Sequence, residues 1–423
     1  MSKRKFAKAM VDATTEPLRR VLIVGTGMTG SLTGYHLRQR MGKGLRLEFA
    51  DMARGAGGRM STTRWGNPEV RANTGAQCIS CCFPETETLL ETVCAQSGEQ
   101  ALCPIERVAK PPRRSTHFLL KPDDAYSHWI PRYGTNRVVK AFLYAGNPEC
   151  VSFGSRLQQL TVRDVDGKIC PRFDRGGDSL SSSFDCVVLA MPPKDILRFF
   201  NVHGGPDAQS QADLHRRTNK GHRKKLQAPP NNHGRIVLEK SVLKKLRGPS
   251  FIGRYSLAQW FEDGDAFVSA VCAGWTSLKD SHRVIDMISA QPGGVLVVQS
   301  TVELWRQVEG GGRRRGGGKG KRSKAVNGGG RKAAQARLVS ALEGLAGRRM
   351  PRPKHTKLLN WRTSQVSPPL SGNESVVTAA GGRLVFTGDW CVESSFEGCN
   401  RAAIASAEAV MMQCKTTMVT QEK

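Results

Sequence analysis

Four apolar residues, Val21-Leu22-Ile23-Val24, run directly into Gly25-Thr26-Gly27-Met28-Thr29-Gly30, and no other stretch constrains the fold as much. An apolar run ending in Gly-x-Gly-x-x-Gly reads as a buried strand turning sharply into a helix. Gly25 permits the turn, Gly27 leaves the backbone bare where a pyrophosphate would approach, and Gly30 lets the helix lie close to the strand. Met28 and Thr29 open that helix, whose first N–H groups lack partners within it and favour phosphate. Leu45–Ala50 alternates like a second strand, and Asp51 closes it, 21 residues beyond Gly30. An acidic side chain there accepts hydrogen bonds from an adenosine ribose, although a surface Asp in a strand-end turn is the plainer use. The unit predicts a bound dinucleotide.

The next segment narrows the dinucleotide. Gly57-Gly58-Arg59-Met60 follows Asp51 closely. It would set backbone N–H groups and a planar guanidinium beside the same pyrophosphate, a second clamp that simple nicotinamide dehydrogenases do not need. These motifs resemble the FAD-dependent amine-oxidase-like flavoproteins, and most of all their renalase-like branch. The resemblance returns at Gly75-Ala76-Gln77, where Asn73 replaces the usual acid and is given no role. It continues at Phe184–Pro192 and Trp361–Val366, and again at Gly388-Asp389-Trp390 with Phe396-Glu397-Gly398-Cys399. By this resemblance Gly388 and Asp389 meet the FAD phosphate and ribityl region. Phe396, Glu397 and Gly398 open a last helix, read over Ala402–Met412, that points at the flavin. Leu157 resembles the adenine-contacting position, with plain core packing as the alternative. The cofactor implied is dissociable FAD, since neither Cys391 nor Cys399 sits in a covalent-attachment sequence.

The fold class expected is α/β: a Rossmann-type FAD domain with an inserted α+β substrate domain. The FAD domain takes residues 20–80, 128–200 and 355–412. The substrate domain takes 81–127 and 201–354, and residues 413–423 form a tail. Strands are expected at Val151–Leu160, Gly234–Leu238, Ala266–Ala273 and Val295–Val302. Trp260, Phe261 and Trp275 are candidates for the substrate side, with core packing the commoner use of such residues. Residues 1–19 read as a flexible basic arm. A cytoplasmic location is expected, with an organelle address in the arm left open. No apolar run is long enough to span a bilayer, so no membrane partner is expected. The twelve cysteines show no metal-ligand spacing, and Cys78-x-x-Cys81 reads first as small buried residues rather than a redox pair.

A net charge of +28 suggests nucleic acid, but its distribution does not. Residues 213–254 carry a net +10 and residues 310–354 a net +13, so two segments hold most of the excess. Highly charged, glycine-rich sequence buries too little apolar surface to offset ordering, so basic insertions near 209–234 and 309–332 are read as loops. A short helix is expected after them, over Ala333–Leu345. No aromatic residue interrupts 310–354, so nucleic acid would bind only weakly, through charge.

The activity implied by the resemblance is that of an oxidase. It would take a hydride from an electron-rich small molecule, isomeric reduced nicotinamide dinucleotides above all, and pass electrons to O2 to give hydrogen peroxide. Amine oxidation is the alternative, and a flavoprotein-derived scaffold with RNA-binding loops is the rival of another class. No acid–base residue is singled out.

Overall fold

The computed structural model describes residues 19–421 except 67–69, 97–104, 108–126, 132, 175–179, 201–232, 263–266, 269–274, 279–281 and 311–325. The basic arm, all but the end of the first basic insertion and most of the second therefore lie outside the described residues.

Strand Arg19–Val24 lies inside a six-stranded sheet. The order is Val377–Ala379, Leu384–Thr387, Cys186–Ala190, Arg19–Val24, Leu45–Asp51, Cys150–Phe153. All neighbours are parallel except the first pair. Parallel strands covered on both faces need an unbroken apolar run, and Val21–Val24 supplies one. Val21 and Ile23 enter a core with Phe49, Leu32, Phe142, Ala403 and Ala407. Leu22 and Val24 face the opposite way, into a core with Leu189, Phe386, Ile196 and Trp390. The first helix, Met28–Met41, and the last, Phe396–Gln421, pack together on the first of these faces.

The glycine turn has the geometry its pattern requires. Gly25 has φ +112°, and a Cβ there would meet the Ala190 carbonyl oxygen at 2.4 Å. A Cβ on Gly30 would lie 2.0 Å from the Gly25 carbonyl oxygen, so a side chain cannot fit between helix and strand.

A five-stranded antiparallel sheet stands apart from this layer, in the order Trp275–Ser277, Ile285–Gln291, Val295–Ser300, Phe251–Trp260, His355–Val366. Its alternation gives two unlike faces. Tyr255, Leu257, Ile288, Leu296 and Val298 pack against Leu304, Leu338 and Leu342 of helices Val302–Gly310 and Val326–Ala346. Ala258, Val295 and Val297 point the other way and pack against Ala72, on the hairpin made by Thr62–Trp65 and Val70–Asn73.

Four expectations change. Val151–Leu160 is two strands: Cys150–Phe153 edges the parallel sheet, and Leu157–Arg163 starts another sheet after the turn at Gly154. Phe267 and Val268 are helical, not part of a strand, and the rest of Ala266–Ala273 lies outside the described residues. The helix expected from Ala333 begins at Val326, taking in the end of the basic insertion, where bare Gly330 sits against Val308. The last helix runs to Gln421, through most of the expected tail.

Candidate functional site

One cleft of about 730 Å³ runs between the two main sheets. The glycine turn, Gly57–Met60, Gly75–Ser80, Ser155–Gln158, Gly388–Trp390 and three strands of the five-stranded sheet all reach it. Of the residues expected from sequence, Gly25, Gly27, Met28, Thr29, Gly30, Asp51, Gly58, Arg59, Met60, Gly75, Ala76, Gln77, Leu157, Gly388, Asp389 and Phe396 line it.

At one end, Asp51 closes its strand beside the glycine turn. Its Oδ2 accepts from the Thr26 backbone N–H and the Thr26 hydroxyl, both at 2.7 Å, and its Oδ1 accepts from the Ala53 N–H at 2.8 Å. The acid therefore braces the turn as well as facing the cleft. Arg156 and the Arg198–Asp195 pair (3.0 Å) line the same end.

In the middle, Arg59 crosses to Asp389. Nη1 donates to Oδ2 at 2.6 Å, and Nη2 donates to Oδ1. Nη1 also reaches the Ser364 carbonyl at 3.3 Å, and Ser394 Oγ donates to Asp389. Burial works against the Arg59 charge, but Asp389 more than offsets it and holds the guanidinium above its ordinary value. Asp389 is 3% exposed and Arg59 33%, so the arginine is the partner that looks into the cleft.

At the far end, the Thr74–Gln77 segment lies between the Arg59 loop and the five-stranded sheet. The Ala76 N–H donates to the Arg59 carbonyl at 2.9 Å. From the sheet, Trp361 Nε1 donates to the Thr74 carbonyl and Gln299 Nε2 to the Gly75 carbonyl, each at 2.9 Å. A Cβ on Gly75 would lie 1.8 Å from the Arg59 carbonyl oxygen, so only glycine fits there. Asp286, Met287, Gln299, Trp361, Thr363 and Gln365 form the opposing wall. Asp286 pairs with buried Arg254, whose Nη1 also donates to the Ser300 carbonyl at 2.9 Å.

Two expected cofactor contacts stand elsewhere. Glu397 and Gly398 do not line the cleft. Glu397 Oε1 accepts from the Cys82 and Phe83 N–H groups at 3.0 and 3.3 Å, and Oε2 from Thr86 Oγ1 at 2.8 Å. Its carboxylate thus caps the start of helix Pro84–Gln96, where unpartnered N–H groups attract an anion. Nor do Trp260 and Phe261 face the cleft: Trp260 stacks on His355 and Phe261 is core. The side chain of Trp275 lies outside the described residues.

Sequence reasoning missed Asp286, Gln299, Ser394 and the arginines at 156 and 198. Asp286 and Gln299 carry no local motif; only the pairing of distant strands brings them to the wall. Cys78 and Cys399 also line the cleft. Burial pushes the Cys78 thiol up to about 11 and, with Asp389 adding to it, the Cys399 thiol up to about 12. The titratable side chains of the described wall are Asp, Arg and Cys, with no Lys, His or Tyr among them.

Comparison with known proteins places this geometry. The profile of the NAD(P)-binding Rossmann-like domain matches residues 23–93. Mouse (Mus musculus) renalase is 26% identical over 413 residues, covering 94% of this chain and 99% of that protein. Among solved structures, putrescine oxidase with bound putrescine superposes with a TM-score of 0.59 at 12% identity, covering 93% of this chain and 99% of the other. An Exiguobacterium protein assigned as a protoporphyrinogen oxidase gives 0.58 at 10% identity, covering 94% and 99%. Likeness at these identities speaks to the fold.

Proposed function

We propose, from the premise that the chain is a renalase-like flavoprotein with the amine-oxidase fold, that it is an oxidase of isomeric reduced nicotinamide dinucleotides using dissociable FAD. The cleft fits such a cofactor. A Cβ on Gly27 would meet nothing within 4 Å, so the backbone there lies bare to the cleft beside the start of the first helix. Gly27, Gly58 and Arg59 would hold the pyrophosphate, Asp51 the adenosine ribose and Leu157 the adenine. Gly388 and Asp389 would meet the ribityl chain. Met28, Thr29, Gly30, Met60, Gly75, Ala76, Gln77 and Phe396 would complete the walls. Glu397 and Gly398 act at one remove: Glu397 ties the start of the last helix to that of helix Pro84–Gln96, and bare Gly398 lets the last helix begin against the Glu393 backbone. Neither Cys391 nor Cys399 stands in a covalent-attachment sequence, which supports a flavin that comes away on denaturation.

The chemistry supplied by a bound flavin is acceptance of two electrons from substrate and their delivery to O2, with hydrogen peroxide as product. The wall composition carries the choice of substrate. An amine must lose its proton before oxidation, whereas a dihydropyridine carbon gives up hydride without one. Among the described residues, the carboxylates of the wall are engaged: Asp51 by the glycine turn, Asp195 by Arg198, Asp286 by Arg254 and Asp389 by Arg59. That environment suits a donor needing no base.

The test is anaerobic mixing of the purified yellow protein with reduced nicotinamide isomers and, separately, with amines. Bleaching of the flavin band by the isomers is expected. Bleaching by amines alone would transfer the assignment to amine oxidation, and a colourless protein that cannot be reconstituted with FAD would refute the enzyme reading.

A further inference from the structure

Strand His355–Val366 is an edge strand of the five-stranded sheet, and Trp361, Thr363, Ser364 and Gln365 bring its second half to the cleft. One side chain fastens the end of this strand to the middle of the cleft. Ser394 Oγ accepts from the Val366 N–H at 2.8 Å and donates its own proton to Asp389. Asp389 in turn holds Arg59, which donates to the Ser364 carbonyl at 3.3 Å. The guanidinium carbon of Arg59 also lies 5.8 Å from the centre of the Phe251 ring, and Phe251 is the cross-strand neighbour of Val366. One corner of the five-stranded sheet is therefore closed into a circuit with the central ion pair, running from Arg59 through Asp389, Ser394, Val366 and Ser364 back to Arg59.

The circuit is open to the cleft at Arg59. A guanidinium carries five N–H groups. Asp389 takes two of them and Ser364 a third, and the arginine is a third exposed along the cleft. Any anion that fixes Arg59 therefore bears on Asp389, and through Ser394 on the strand. A hydroxyl suits this relay, since it accepts from an amide and donates to a carboxylate at once. We infer that Ser394 is a positioning residue: through it, a dinucleotide held by Arg59 orders the strand that carries Trp361, Thr363 and Gln365, so that the opposing wall firms when the cofactor is in place. The inference takes from the reading above only that the cleft holds a flavin, and makes no use of which substrate is oxidised.

Hydrogen–deuterium exchange is followed in peptides covering residues 355–366, for the apoprotein and for protein saturated with FAD. In wild type FAD is expected to slow exchange there about tenfold. Ser394→Ala keeps Arg59 and Asp389, and the slowing should shrink to about twofold, the worth of roughly one hydrogen bond. Because coupling is reciprocal, FAD should bind this variant about fivefold more weakly. Ser394→Thr keeps the hydroxyl and should restore both values. Should Ser394→Ala not fold, Ser394→Cys, whose thiol is a weak donor and weak acceptor, is read in the same way. Equal FAD-dependent slowing in wild type and variant overturns the inference, whatever happens to the melting temperature. Exchange that rises by one factor with and without FAD marks a purely structural hydroxyl and overturns it too, as does the absence of any slowing in wild type. A protein that takes up no FAD refutes the flavin reading and this inference together. A yellow protein bleached by no reduced isomer loses the oxidase reading alone, and the role of Ser394 stands.

Discussion

Arg59 and Asp389, 330 positions apart, meet through both terminal guanidinium nitrogens and both carboxylate oxygens in the middle of the cleft. The pair closes a ring of contacts that includes the Ser364 carbonyl and the Ser394 hydroxyl. It ties the loop after the second parallel strand to the end of the last one.

Removing the arginine should act on both the fold and the ligand. Arg59→Ala strands a buried carboxylate, but Arg59 is itself a third exposed, so solvent moderates the cost to about 1–3 kcal/mol. Flavin retention should fall at least tenfold in equilibrium dialysis. Arg59→Lys should recover little, because an ammonium cannot make the two-pronged contact. Unchanged affinity in Arg59→Ala would remove the arginine from the pyrophosphate site.

Two glycines of one motif should fail in different ways. Gly30→Ala forces a methyl group into the Gly25 carbonyl, so melting temperature and flavin should be lost together. Gly27→Ala meets nothing in the protein. Its melting temperature without flavin should stay near wild type while flavin binding weakens. Equal flavin affinity in Gly27→Ala would argue against close approach of a phosphate there.

Glu397 should matter to stability rather than to the cofactor directly. Glu397→Ala leaves the Cys82 and Phe83 N–H groups and the Thr86 hydroxyl without their acceptor, at about 1–3 kcal/mol in urea unfolding. The folded variant should keep its flavin, as judged by its absorbance after gel filtration.

The cleft thiols set an alkaline limit. Their folded-state values lie above those of an unfolded cysteine, so the stability from burying them neutral is complete below about pH 9. It is lost as pH rises through about 11 for Cys78 and about 12 for Cys399. Iodoacetamide at pH 8 should alkylate Cys78 of the folded protein about a hundredfold more slowly than free cysteine. Rapid labelling of Cys78 in the native protein would contradict this.

The parallel sheet and its glycine turn were legible because their causes are local: an apolar run, three glycines and an acid at fixed spacing. Arg59 and Asp389 could each be named from a motif, yet nothing in either motif says that they bind each other. Glu397 was misread for the same reason, since the helix start it caps lies more than 300 residues away. Much of the wall opposite the glycine turn was illegible: Asp286 and Gln299 reach it through strand register alone, whereas Gln365 lies in the Trp361–Val366 motif. Gly330 misled because composition favours a loop, while packing against Val308 favours a bare helix face.

Strand Leu384–Thr387 lies beside Cys186–Ala190 and delivers Gly388, Asp389 and Ser394 to the cleft. This has a consequence for biosynthesis. A ribosome-bound chain that has not yet emitted this strand already contains the glycine turn, Asp51 and Arg59, but lacks the surface that pairs with them. Loading of the proposed cofactor would therefore wait until Leu384–Asp389 has been made, and nascent chains stalled before Leu384 should emerge colourless however much FAD surrounds them.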